Sequence, residues 1–216
     1  MCENVINSIL QNKIVVIVRG VKKERLIPLA QAIYDGGIRL MEITFDATKK
    51  VSDEETGDMI KMLSDSFKGK MFIGAGTVLT TEQVDITKAM GGKFVISPDV
   101  NCEVIKHTKE AGLVSIPGAL TPTEIQTAHM AGADFVKIFP VTSMGTEYVK
   151  AVSAPLKHIK LIAVGGVDLN NMTDYLKAGV IGLGLGSSVV DKKMIERDDY
   201  ASITAFAQKC VNAIKQ

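Results

Sequence analysis

Residues 121–140 read TPTEIQTAHMAGADFVKIFP. Thr121 and Pro122 open a stretch with helical spacing, "MAGA" (130–133) closes it, and "FVKIFP" (135–140) follows as a short β-branched and aromatic run ending in proline. Threonine is a good helix N-cap and glycine takes the left-handed conformation that stops a helix, whereas Phe, Val and Ile suit a pleated strand. The same grammar recurs along the chain. Strand candidates are "IVVIVR" (14–19), "RLMEIT" (39–44), "MFIGAG" (71–76), "KFVIS" (93–97), "LVSIP" (113–117), "FVKIFP" (135–140), "LIAVGG" (161–166) and "VIGLGLG" (180–186). Between them lie helix candidates such as "KERLIPLAQAIYDGG", "TEQVDITKAMGG", "NCEVIKHTKEAG" and "NNMTDYLKAGV", several of them ending in glycine just before the next strand. Eight strand and helix repeats predict an α/β fold, the (β/α)8 TIM barrel; a doubly wound open sheet gives a similar alternation and stands as the alternative. No Pro/Ser-rich linker or charge run divides the chain, so the expectation is one domain over residues 1–216 with a short N-terminal helix.

Composition narrows the function. Lys plus Arg number 25 against 24 Asp plus Glu, so no net field favours nucleic acid or an anionic membrane surface. Cys2, Cys102 and Cys210 are odd in number and widely spaced, which suggests neither a disulfide framework nor a structural metal and points to the cytoplasm. The N-terminal "MCENVINSILQNK" lacks the apolar core of a signal peptide, and no apolar run approaches a membrane span. The expected protein is soluble and intracellular, with no nucleic-acid or membrane partner.

In such a barrel the chemistry sits at the carboxyl ends of the strands. The polar residues there are Arg19, Glu42, Thr44, Thr77, Lys137, the pair Gly165 and Gly166, and "GSS" at 186–188. A period of two groups Met41, Ile43 and Phe45 on one face of the second strand and Leu40, Glu42 and Thr44 on the other. The bulky set suits the wall beneath the helices, so Glu42 faces the interior. By the same parity Phe135, Lys137 and Phe139 face inward on the sixth strand candidate. One reading makes Glu42 and Lys137 a structural ion pair, which apolar residues of equal volume would often match in stability. The other makes Lys137 an amine whose charge burial disfavours, able to attack a carbonyl carbon, with Glu42 as proton shuttle. The glycine-rich turns "AVGGVDLNN" and "GLGSSVVD" offer bare N–H groups, the second at an expected helix start, in the two loops where barrels commonly bind phosphate. Thr77 in "GAGTV" presents a hydroxyl, and the Arg19 fork can take a carboxylate or phosphate. His107, His129 and His158 fall outside the strand ends, and no His and carboxylate set there suggests a metal.

From "IVVIVRG" through "GGIRLMEITF", "IGAGTV", "FVISPDVN", "IPGALTPTEI", "FVKIFP" and "AVGGVDLNN" to "GLGSSVV", the sequence resembles the KDPG/KHG aldolases, class I enzymes that cleave 2-keto-3-deoxy-6-phosphogluconate and also act on 4-hydroxy-2-oxoglutarate. The resemblance implies that Lys137 is the Schiff-base lysine and Glu42 the proton-transferring carboxyl group. It implies that Thr77 contacts the pyruvyl carboxylate and that Gly165, Gly166 and Ser187 bind the phosphate, with Gly186 beside them. It implies a homotrimer, pyruvate and a phosphorylated keto acid as small-molecule partners, and no metal or organic cofactor. Two departures stand out: Asp46 in "EITFDAT" occupies the place of an arginine in "EVTLRT"-like family stretches, and "AVGG" replaces "PTGG", so that Ala163 and Val164 remove a hydroxyl. The competing readings are a phosphate-binding barrel that isomerises or epimerises its substrate without a covalent intermediate, and a barrel kept for binding alone.

Overall fold

The structure, a computed structural model, describes residues 2–215. In chain order its elements are α1 (Cys2–Asn12), β1 (Ile14–Val18), α2 (Lys23–Asp35), β2 (Leu40–Thr44), α3 (Asp53–Ser66), β3 (Phe72–Gly76), α4 (Thr81–Ala89), β4 (Phe94–Ile96), α5 (Cys102–Glu110), β5 (Val114–Ile116), β6 (Gly118–Ala119), α6 (Pro122–Met130), β7 (Val136–Ile138), α7 (Gly145–Ser153), β8 (Leu161–Val164), α8 (Met172–Lys177), β9 (Gly182–Leu185), α9 (Lys192–Glu196) and α10 (Tyr200–Ala213). Several of the expected helix starts, those of α4, α5 and α6 among them, are capped by side chains. Thr121 Oγ1 accepts the Glu124 N–H at 3.3 Å while a Glu124 carboxylate oxygen accepts the Thr121 N–H at 2.8 Å, a reciprocal capping box. The glycine stops at Gly37, Gly91, Gly112 and Gly132 all have positive φ.

Neighbouring strands run parallel in the order β5-β4-β3-β2-β1-β9-β8-β7-β6. The two ends of that order are consecutive pieces of one stretch, residues 114–119. Pro117 divides them because it has no N–H to donate to a ladder. On one side Ser97 N–H donates to the Ile116 carbonyl at 3.2 Å; on the other, Lys137 N–H donates to Pro117 O at 2.8 Å and Phe139 N–H to Ala119 O at 3.0 Å. The sheet therefore closes on itself, which removes the open-sheet alternative and leaves a (β/α)8 barrel whose fifth stave is broken. The sequence reading ended that stave at Pro117; the chain in fact resumes strand geometry at Gly118.

Side-chain parity sorts the apolar residues into two buried clusters. The outer one lies between strands and helices and includes Met41, Ile43, Phe45, Val136 and Ile138. The inner one fills the barrel with Val15, Leu40, Phe94, Ile96, Val114, Phe135 and Ile162, and it includes Val5 and Ile9 of α1. Helix α1 thus closes the amino-terminal end of the barrel with two side chains that are wholly buried. Glu42 and Lys137 lie two residues beyond Leu40 and Phe135 on their strands, one layer above this apolar floor and toward the open end. Among the described residues no helix is long and apolar enough to cross a membrane.

Candidate active site

Glu42 is paired in register with Ile17 of β1 and Gly74 of β3, and Lys137 with Gly118 of β6 and Ile162 of β8. Both project into the barrel, as parity predicts. Glu42 is 3% exposed and Lys137 6%, values that place two ionisable groups in a nearly dry interior. Among the described residues no carboxylate oxygen lies within 4.0 Å of Lys137 Nζ. Glu42 Oε2 is buried without a hydrogen-bond partner. The two groups share a chamber but do not form a contact ion pair, so the structural-pair reading loses its contact. A carboxyl oxygen left unsatisfied in a buried site costs stability, and such groups concentrate where chemistry requires them.

Burial pushes the Glu42 carboxyl up to about 7, against the opposing pull of the Lys137 ammonium and the Arg19 guanidinium. Burial also lowers the Lys137 ammonium; Glu42 and Asp99 work against that shift and Arg19 adds to it. Lys137 Nζ stands 4.7 Å from the centroid of the Phe139 ring, which can steady the protonated form without supplying a counter-ion. Burial thus shifts Lys137 toward the free amine, beside a carboxyl group able to give or take a proton near neutrality.

Gly76 makes room for that carboxyl group. A Cβ at this position would overlap Glu42 Oε1. Exchanging Gly76→Ala is expected to displace the carboxyl group and lower turnover about 100-fold, the cost of a misplacement near 1 Å. A turnover assay run beside a denaturant titration would distinguish this outcome from loss of the fold.

Thr77, directly after β3, holds φ at 55°, a conformation that a β-branched residue adopts only under constraint. Its Oγ1 accepts a hydrogen bond from Arg19 Nη2 at 2.9 Å, so the loop ends after β1 and β3 meet across the mouth. The turn after β8 has φ of 97° at Gly165 and 80° at Gly166. The Gly165 carbonyl accepts the Thr142 hydroxyl, and the Gly166 carbonyl accepts Asn171 Nδ2 at 2.9 Å. Ser188 Oγ donates to Val167 O at 3.2 Å, which ties this turn to the one after β9. Among the described residues no protein acceptor takes the N–H groups of Gly165, Gly166, Gly186 or Ser187. Such free amides on two fixed adjoining turns suit an anion.

The expected helix start at Gly186 is corrected. Residues 187–190 form one turn, with Val190 N–H donating to Gly186 O at 2.9 Å, and α9 begins only at Lys192. Asp191 breaks the path by capping α9 from an extended conformation, its Oδ1 accepting the Lys193 and Met194 N–H groups. Asp46 has a similarly local task. Its carboxylate accepts the Thr48 N–H and hydroxyl at 2.9 and 2.7 Å and the Lys50 and Val51 N–H groups at 3.1 and 3.3 Å, holding the loop between β2 and α3. The Thr48 bonds lower its pKa. Val164 belongs to the inner cluster, so the side chain at this departure from the family pattern does face the barrel.

Three participants escaped the sequence reading: Thr142, which pins the glycine turn; Ser97, buried at the end of β4; and Asp99, whose charge acts on Lys137. Ser97 and Asp99 carried the same signal as the others, polar residues following the strand "FVI". Of the histidines, His107 Nε2 bonds Asp85 Oδ1 at 2.8 Å on the helical layer, and His129 meets His158 edge to face at 5.1 Å between ring centroids. Among the described residues no group of three or more His, Cys, Asp or Glu side chains is arranged to hold a metal ion.

Fold and chamber together define a barrel carbon–carbon lyase of the aldolase type. The pattern of the family described as KDPG and KHG aldolase matches residues 5–206, and the chain belongs to that family. It is 36% identical over 177 residues to the 2-dehydro-3-deoxy-6-phosphogalactonate aldolase of Escherichia coli (strain K12), covering 82% of this chain and 83% of that one. The 2-dehydro-3-deoxy-phosphogluconate aldolase of Haemophilus influenzae is 30% identical over 214 residues, covering 99% and 98%. Among solved structures, KDPG aldolase from Legionella pneumophila with pyruvate captured as a covalent carbinolamine superposes with a TM-score of 0.84 at 26% identity, over 94% of this chain and 96% of that one.

Proposed function

We propose that the chain is a class I aldolase that reversibly cleaves a 2-keto-3-deoxy-6-phospho sugar acid to pyruvate and glyceraldehyde 3-phosphate, and that it also cleaves 4-hydroxy-2-oxoglutarate to pyruvate and glyoxylate. The Lys137 amine adds to the C2 ketone, and loss of water gives an iminium. Glu42, directly or through one water, takes the proton of the C4 hydroxyl. The C3–C4 bond then breaks, its electron pair passes into the iminium to form an enamine, and the aldehyde leaves. Glu42 returns a proton to C3, and water hydrolyses the iminium to release pyruvate and the free amine. Arg19 and Thr77 hold the carboxylate; Gly165, Gly166, Gly186 and Ser187 hold the phosphate.

The observation that carries this reading is the dry chamber in which an amine without a carboxylate contact faces a carboxyl group with a free oxygen. The carbinolamine captured in the Legionella enzyme is the same bond type on a related barrel. Mass spectrometry after borohydride treatment with pyruvate is expected to place a reduced pyruvyl adduct on the peptide containing Lys137. Absence of an adduct on folded protein would remove the reading. The proposal includes one domain over residues 1–216, acting as a cytoplasmic homotrimer. Free cysteines support the reducing compartment, and a protein cage designed by fusing symmetric oligomeric domains contains a barrel 34% identical to this chain, in support of assembly.

A further inference from the structure

At the mouth, a cleft of about 560 Å³ is lined by Arg19, Gly186, Ser187, Asp191, Lys192 and Lys193, with two apolar neighbours. Three cations thus face a single carboxylate, and that carboxylate is already committed to capping α9. Lys192 and Lys193 are exposed, and among the described residues no carboxylate oxygen lies within 4.0 Å of either ammonium or of the Arg19 guanidinium. Elsewhere on the surface Lys49 pairs with Asp53 and Lys61 with Asp65. Lys192 and Lys193 instead border Ser187, whose free N–H belongs to the anion-binding turn; the adjoining cleft that Lys192 shares with Lys22 and Arg25 also holds Glu196, and Arg25 there is paired with Asp198, so the excess of positive charge lies on the Ser187 side. Asp46, turned into its own loop, supplies no positive charge at this mouth. A concave rim of one sign raises the local concentration of an oppositely charged substrate and lowers its dissociation constant.

We infer that Lys192 and Lys193 are specificity-determining residues that hold the phosphate end of the substrate by charge, so that this chain prefers a phosphorylated keto acid to the unphosphorylated five-carbon diacid. The inference rests on the aldolase reading and assigns to two flexible side chains a task distinct from that of the backbone amides. The amides fix where the phosphate sits; the lysines set how strongly a doubly charged phosphate is favoured over a singly charged carboxylate. Exposed ion pairs each contribute at most about a fivefold factor in binding, so removal of both charges should be read as about tenfold.

The test compares Lys192→Ala/Lys193→Ala with the unchanged protein on 2-keto-3-deoxy-6-phosphogluconate and on 4-hydroxy-2-oxoglutarate. The expected result is a KM for the phosphorylated substrate raised about tenfold with kcat little altered, and a smaller fall, about threefold, in the ratio of the two kcat/KM values, because the distal carboxylate of the diacid carries half the charge. The salt dependence of kcat/KM for the phosphorylated substrate should flatten as well. Lys192→Gln/Lys193→Gln, which keeps much of the side-chain volume, should behave alike. An unchanged ratio, or an equal loss on both substrates, would overturn the inference. Pyruvate trapping on Lys137 in the same variants reads the aldolase chemistry separately: trapping with an unchanged ratio refutes only the lysine assignment, whereas no trapping in the unchanged protein refutes the parent reading.

Discussion

Replacing Lys137 with alanine is expected to reduce aldol cleavage by at least about 10⁴-fold, because the covalent route then has no nucleophile and no electron sink. The fold should persist. Among the described residues no carboxylate contacts Lys137 Nζ, so its loss strands no ion-pair partner. Steady-state cleavage, borohydride trapping and a urea titration on the same preparation check all three points. Near-normal cleavage by a folded Lys137→Ala protein would refute the mechanism.

The second large effect is expected from Glu42→Gln, which keeps the shape of the side chain and removes its proton chemistry. Loss of a positioned acid–base group costs about 10²- to 10⁴-fold in kcat. The proposed mechanism needs Glu42 as the carboxylate for cleavage, so the rate of the unchanged enzyme should rise with pH through about 7, and this limb should vanish in the variant. The linkage has a definite sign. A carboxyl group raised from 4.5 to about 7 in the folded state gives stability that is fully present below 4.5 and lost as pH rises through about 7. Glu42→Gln should therefore gain stability relative to the unchanged protein between pH 5 and 8, by up to roughly 3 kcal/mol at pKa differences of this size. Denaturant titrations at the two pH values would show it; a gain that shrinks with pH would contradict a buried, raised carboxyl group.

Much of this arrangement is readable in the residues because strand parity is a local property. Alternation alone puts Glu42 and Lys137 inside, Met41 and Val136 outside, and glycine stops mark where each helix yields to the next strand. What alternation does not carry is distance across the barrel. Parity cannot tell whether Glu42 and Lys137 touch, that Arg19 reaches Thr77 from two strands away, or that the fifth stave continues past Pro117, since proline locally reads as an end. The sequence reading expects a helix start at 186–188, but the later cap at Asp191 decides otherwise. Nothing in the sequence singles out Lys192 and Lys193; only the fold sets them beside Ser187.

The apolar floor made by Val5 and Ile9 has a kinetic consequence. A vessel sealed at its base has a single doorway, and on the proposed mechanism the three carbons that become pyruvate are tethered deepest, to Lys137, while the aldehyde half lies nearer the exit. Departure must then be ordered, the aldehyde first and pyruvate last. Pyruvate, which returns to the empty enzyme, should inhibit cleavage competitively, whereas glyceraldehyde 3-phosphate, which meets only the enamine form, should inhibit noncompetitively; the reverse pattern would mean that the barrel has a second way out.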